Sequence, residues 1–194
     1  GTLEGFPGIT DATKSANFFR ASGSTAEIDA AAQVARLDHR PFAHSPVAPV
    51  PAGIRSAVLL IAPMIRAAGQ FRLDMGSKGC SLGIREIDPH LEIARAFGCD
   101  VEVTGADCII RRNGAMTPAT IWPDYQSVTA TETFAMFAAC TPGTSRMTNA
   151  ASEPHVRRLC EMLEDMGAKV EGIGTSQLTI TGQAKLAGGS FTVI

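Results

Sequence analysis

The chain has 194 residues and 20.3 kDa, 45% hydrophobic and 19% charged, which suits one sizeable domain or a lobe of something larger and excludes a small stapled scaffold. With 17 Lys and Arg against 19 Asp and Glu and a pI near 6.1, no global positive field exists to draw in nucleic acid or an anionic membrane. The longest apolar stretches, such as 57–65, fall short of the roughly 20 residues that span a bilayer, and no leader pattern opens the chain, so a soluble cytosolic protein is expected.

Taken in chain order, a Gly-led strand recurs three times, at Gly1-Thr-Leu-Glu, Gly69-Gln-Phe-Arg-Leu and Gly143-Thr-Ser-Arg-Met. Each is followed by a predicted helix start, at Thr10-Asp11, Asp88-Pro89-His90 and Glu153-Pro154-His155, where an acidic or hydroxyl side chain can cap and Pro suits the first turn. The three helices are predicted to stop at Gly23, Gly98 and Gly167, since glycine takes the left-handed conformation that closes a helix. In the third, Val156, Leu159, Cys160, Leu163 and Met166 form one apolar stripe, so the helix buries one face.

Strand pairs follow the helices: 101–104 with 108–111, and 169–172 with 177–181; the first copy, from Ala26, is weaker and Ala-rich. Further helices are predicted over 54–67 and 129–139, which makes the full unit strand, helix, strand, helix, strand, strand. The first copy lacks the opening strand and helix, so its sheet stays uncovered unless another segment supplies the missing parts. The Pro-rich stretch 40–53 reads as an extended connection inside the domain.

The five cysteines, Cys80, Cys99, Cys108, Cys140 and Cys160, contain no C-x-x-C pair, so neither a disulfide framework nor a zinc site is indicated. Four read as small buried residues. Cys80 differs, because Gly76, Gly79 and Gly83 form a loop around it, Lys78 and Arg85 bring positive charge, and a helix N-terminus follows. Such surroundings bind anions and lower a thiol pKa.

The run Gly79-Cys80-Ser-Leu-Gly-Ile-Arg85-Glu-Ile-Asp88-Pro-His90-Leu resembles the catalytic-loop signature of the UDP-N-acetylglucosamine enolpyruvyl transferases (1-carboxyvinyltransferases). The likeness continues through Ile54-Arg55-Ser-Ala, Ser127-Val-Thr-Ala-Thr-Glu-Thr, Asn149-Ala-Ala-Ser-Glu-Pro and Met166-Gly-Ala-Lys-Val-Glu-Gly, in order along nearly the whole chain. It implies a two-lobed inside-out α/β barrel whose lobes each hold three βαβαββ units, with residues 1–194 as one lobe, apparently a fragment, its first repeat incomplete. The implied reaction carries the enolpyruvyl group of phosphoenolpyruvate to the 3-hydroxyl of UDP-N-acetylglucosamine, releasing phosphate in peptidoglycan precursor synthesis, without cofactor or metal.

Carried over by position, the resemblance makes Cys80 the loop thiol that adds to phosphoenolpyruvate or assists proton transfer, and the target of fosfomycin-type epoxides. Arg85 becomes a phosphate-binding arginine and Arg55 a substrate- and loop-positioning one. It assigns the nucleotide to Arg85, Glu86, Ile87, Asp88, Pro89, Tyr125, Ser127, Val128 and Thr129, with Asp88 serving helix capping, nucleotide recognition or both. Where the family reads Pro-Val-Asp-Leu this chain has Glu86-Ile-Asp88-Pro89, and Thr129 replaces the Gly after Ser-Val; both departures concern the acceptor.

The family's Lys-Asn pair, and the Asp and Arg of the second lobe, have no counterpart here, so the 194-residue chain alone is expected to bind nucleotide weakly and catalyse nothing. The implied partners are phosphoenolpyruvate, a uridine nucleotide sugar and the second lobe, not nucleic acid or membrane. Two alternatives stand: enolpyruvyl transfer to a different nucleotide acceptor in specialised metabolism, and a truncated, non-catalytic nucleotide-binding lobe. The shikimate-pathway branch is disfavoured because its relatives lack the Cys loop.

Overall fold

The computed structural model describes residues 1–6, 9–40, 50, 55–74, 79–80, 83–84, 87–105 and 107–192, with the backbone alone at 55, 74, 79, 80, 83 and 84. In chain order the elements are β1 (Thr2–Glu4), α1 (Thr10–Ala21), β2 (Thr25–Asp29), β3 (Val34–Asp38), a 3₁₀ segment (Arg55–Leu60), α2 (Ile61–Ala68), β4 (Gln70–Asp74), β5 (Gly79–Cys80) and β6 (Gly83–Ile84). They continue with α3 (Asp88–Ala96), β7 (Cys99–Thr104), β8 (Asp107–Arg112), β9 (Thr120–Ile121), α4 (Val128–Ala139), β10 (Gly143–Thr148), α5 (Pro154–Asp165), β11 (Lys169–Glu171), β12 (Gln177–Gly182) and β13 (Ser190–Thr192). The chain divides into two compact units, Gly1–Ile54 with Gly188–Ile194, and Arg55–Ala187.

In the first unit the strand order is β13-β1-β3-β2, with β13 parallel to β1 and the other pairs antiparallel. Residues 190–192 thus lie parallel to β1 at the edge of this sheet. The Ala-rich strands hold their register with small buried side chains, Ala26 and Ala35, and α1 adds Ala16 and Phe18.

In the second unit one sheet runs β9-β10-β12-β11, with β9 parallel to β10, and another runs β4-β8-β7. The four-stranded sheets of the two units therefore share an order: a parallel strand, the Gly-led strand, the last strand of the hairpin, then its first. Helix α4 packs against α2, α3 and α5 and against β10 and β12. Its composition explains that place, since Ala130, Phe134, Ala135, Phe137, Ala138 and Ala139 are buried all round it, the pattern of a helix enclosed by protein. Phe97, at the end of α3, stacks on Phe137 with ring centroids 5.2 Å apart and also meets Phe134 at 5.8 Å.

The predicted helix over 54–67 splits at Leu60. Pro63 lacks an N–H and its ring crowds the carbonyl four residues back, so an α-helix can begin at Ile61, where that N–H is an orphan anyway, and the turn ahead tightens to 3₁₀. Helices α1, α3 and α5 end as expected, before Gly23, Gly98 and Gly167 at φ of 90°, 90° and 107°. The glycine N–H groups bond Arg20, Arg95 and Glu164 carbonyls.

Side-chain capping at the same three helices is corrected. Ile9, Ile87 and Glu153 are the N-caps and none makes a side-chain cap bond. Asp88 lies inside the first turn of α3, where its carboxylate faces the positive end of the helix dipole but cannot reach back over its own amide. Among the described residues no helix is long and apolar enough to cross a membrane.

Candidate functional site

The segment that follows β4 leads to the start of α3. Within it Gly79 pairs with Ile84 and Cys80 with Gly83, so the glycine-rich stretch, predicted as a loop, holds a short antiparallel hairpin at Cys80. Gly79 and Gly83 bring no Cβ into this ladder. Arg85 and Glu86, and the side chains of Cys80 and Arg55, lie outside the described residues. The backbone of Arg55 opens the 3₁₀ segment.

Ile87 and Pro89 are half-buried and Asp88 is exposed, while His90 is only 3% exposed. Pro89 lies in the first turn of α3, where its fixed φ suits the helix, and His90 follows it on the buried face. His90 Nδ1 lies 2.8 Å from Thr133 Oγ1 and its Nε2 lies 3.2 Å from Thr129 Oγ1, so the ring bridges two hydroxyls one helical turn apart on α4. Burial pushes the imidazole pKa down to about 4, which leaves the ring uncharged near neutral pH.

The second segment is the start of α4. Ser127 is extended at the N-cap and its Oγ accepts from the Ala130 amide at 3.3 Å. Ser127, Val128 and Thr129 are all half-buried, so the first turn of α4 keeps one side toward solvent. Thr131 Oγ1 donates to the Ser127 carbonyl at 2.8 Å and accepts from the Ala151 amide at 3.0 Å, which ties this turn to the strand end that follows β10.

Ahead of Ser127 the chain is held by two amides. Asn149, at φ 63°, donates to the Pro123 carbonyl at 3.0 Å, and Gln126 donates to the Ala150 carbonyl at 3.2 Å. This held segment presents Trp122, 78% exposed, and Tyr125, 47% exposed. On the far side of Ser127, Glu132 is buried and burial raises its carboxyl pKa, partly offset by His155, with Glu153 adding to the rise.

The structure thus joins Ile87, Asp88 and Pro89 to Ser127, Val128 and Thr129 through the His90 bridge, two predicted groups that lie far apart in sequence. Sequence reasoning left His90 without a partner and passed over Thr133. The signal was present in Thr129 and Thr133, hydroxyl residues at i and i+4 of the predicted helix and therefore on one face. The other four cysteines fit the structural reading: Cys99, Cys108 and Cys160 are buried, and burial raises the thiol pKa of each and of half-buried Cys140.

A family model described as EPSP synthase (3-phosphoshikimate 1-carboxyvinyltransferase) matches residues 1–194. The chain belongs to this family. Among curated relatives, UDP-N-acetylglucosamine 1-carboxyvinyltransferase of Campylobacter fetus is 37% identical over 129 residues, covering 66% of this chain and 30% of the relative. The Prochlorococcus marinus protein named UDP-N-acetylglucosamine 1-carboxyvinyltransferase 2 is 37% identical over 147 residues, covering 73% and 34%. The Orientia tsutsugamushi enzyme of the first name is 29% identical over 197 residues, covering 99% and 46%.

Solved structures share the fold: the enolpyruvyl transferase NikO from Streptomyces tendae has a TM-score of 0.79 at 22% identity, covering 99% of this chain and 45% of that one. EPSP synthase from Acinetobacter baumannii has a TM-score of 0.75 at 19% identity, covering 99% and 43%. The mixed α/β architecture is that of these transferases, and the chain spans less than half the length of each of these relatives.

Proposed function

We propose that the protein, in its full-length form, transfers the enolpyruvyl group of phosphoenolpyruvate to the 3-hydroxyl of UDP-N-acetylglucosamine in the cytoplasm, as a step of peptidoglycan precursor synthesis. The observation that carries this reading is the 37% identity to enzymes named for that reaction, across the region that holds the Cys80 segment and both helix starts. The chain forms one lobe of an inside-out α/β barrel, and a second lobe closes over the substrates.

In the reaction the sugar hydroxyl gives up its proton as its oxygen bonds to C2 of phosphoenolpyruvate, and C3 gains a proton, giving a tetrahedral phospho-ketal. Loss of a C3 proton and cleavage of the C2–O bond to the phosphate then release inorganic phosphate and leave the enol ether. Cys80 serves proton transfer or adds to C2, and Arg85 holds the phosphate through its planar fork of donors. Arg55 positions the loop. The α4 start receives the diphosphate: the Val128 and Thr129 amides are among the helix's orphan donors, with the positive end of its dipole behind them. Glu86, Ile87, Asp88, Pro89 and Tyr125 surround the nucleoside end.

Thr129 favours a second reading, a different nucleotide acceptor, because its side chain fills a position where the family motif has none. Phosphate release from phosphoenolpyruvate, followed with a panel of nucleotide sugars and nucleotides and compared with Cys80→Ala, decides. Release with UDP-N-acetylglucosamine that depends on Cys80 supports the first reading, and release only with another nucleotide supports the second. No release with any acceptor sinks both.

A further inference from the structure

The His90 bridge runs from the core toward the surface: Thr133 is fully buried, His90 is 3% exposed and Thr129 is half-buried. We propose that His90 is a positioning residue for the nucleotide acceptor, acting through Thr129, whose hydroxyl it holds at the second helical position of α4. The inference rests on the reading above, that this first turn receives the acceptor's diphosphate.

A neutral imidazole carries one N–H donor and one acceptor nitrogen, and each threonine hydroxyl can play either part. If Nδ1 accepts from Thr133, then Nε2–H donates to Thr129 Oγ1, and the Thr129 proton is left to donate outward. Diphosphate oxygens only accept, so this is the tautomer that suits an anionic ligand. The opposite tautomer spends the Thr129 proton on the ring and turns lone pairs toward the anion. The ring stays uncharged near neutrality, so its part is orientation and polarity, not charge. Its placement also explains why Thr is tolerated where the family motif has Gly: the Oγ1 is drawn back against His90.

The test is the steady-state KM and kcat for UDP-N-acetylglucosamine of the full-length protein and of His90→Asn, His90→Gln, Thr129→Val and Thr129→Ser, read by phosphate release at saturating phosphoenolpyruvate. An Asn amide reaches about as far as Nδ1 and keeps only the Thr133 side; a Gln amide reaches about as far as Nε2 and keeps the Thr129 side. His90→Asn and Thr129→Val should raise KM about tenfold, the value of one ordered hydrogen bond to a charged group, and lower kcat far less. His90→Gln and Thr129→Ser should recover most of that loss.

Equal KM values across the series, or a better KM for His90→Asn than for His90→Gln, overturn the inference, the second pattern being that of a purely core role at Thr133. Where the His90 variants do not fold, the Thr129→Val and Thr129→Ser pair decides in the same way. A parent protein active with this acceptor but insensitive to the series defeats the inference alone. A parent that neither turns over nor binds UDP-N-acetylglucosamine by calorimetry defeats the first functional reading, and the inference about this acceptor with it.

Discussion

Gly182 lies against Ala138: a Cβ at 182 would run into the Ala138 carbonyl oxygen, and also into those of Thr141 and Ala139. The last residue of β12 can meet the C-terminal turn of α4 this closely only because it has no side chain. Gly182→Ala should therefore destabilise the protein by about 3 kcal/mol or more, at the upper end of overpacking costs, since backbone rather than a flexible side chain must move. Gly188→Ala, which meets nothing within 4 Å, is the comparison in urea denaturation. Equal midpoints for the two would show that the α4 turn yields easily.

The buried His90 gives stability a pH dependence of definite sign. Its folded-state pKa, about 4, lies below its unfolded value of 6.5, so the unfolded chain binds more protons between the two. The contribution is complete above about pH 6.5 and is lost as pH falls toward 4, amounting to roughly 3 kcal/mol. Glu132, with a raised pKa, works in the opposite direction, so the difference between the parent and His90→Gln isolates the imidazole. Parent and variant should converge in unfolding free energy between pH 7 and pH 4.5; a constant gap would count against the assignment.

Cys80 should be the first thiol to react with a limiting alkylating reagent at pH 7.5. Burial pushes Cys99 up to about 11, and burial together with Glu164, Glu161 and Glu132 does the same for Cys160. Burial raises Cys108 and Cys140 as well. None of the four supplies appreciable thiolate at that pH. Peptide mapping that found any of them labelled ahead of Cys80 would contradict this ordering.

Ser127 has two separable jobs, capping α4 and meeting the acceptor's phosphates. Ser127→Ala should cost about 1 kcal/mol of stability and weaken acceptor binding. Ser127→Asp keeps a good N-cap, so the melting temperature should hold while KM for the nucleotide sugar rises through charge repulsion. Parallel loss of both properties in Ser127→Asp would leave only the structural job.

Arg85→Lys should lower turnover with phosphoenolpyruvate about tenfold to a hundredfold, the loss expected when a charge stays but a bidentate fork is removed. Unchanged kcat/KM would take Arg85 out of the phosphate site.

Local chemistry was enough to read much of this molecule from its sequence. The stops at Gly23, Gly98 and Gly167, the one-sided stripe of α5 and the strand pairs β7 with β8 and β11 with β12 each depend on residues within a turn or a hairpin of one another. The family motifs were legible for the same reason, being contiguous. Tertiary structure decided what those signals do not encode. Residues 190–192 complete the first sheet beside β1 because strand pairing depends on which edge is open in space. Ile87 and not Asp88 became the α3 cap because packing of that helix, with His90 inside, set where its first turn begins. Thr129 and Thr133 found a shared partner only when α3 and α4 packed, since a side chain's hydrogen-bond partner is chosen by the face its helix turns to a neighbour. That choice is made by the whole core at once, with Phe97 against Phe134 and Phe137 holding the two helices together.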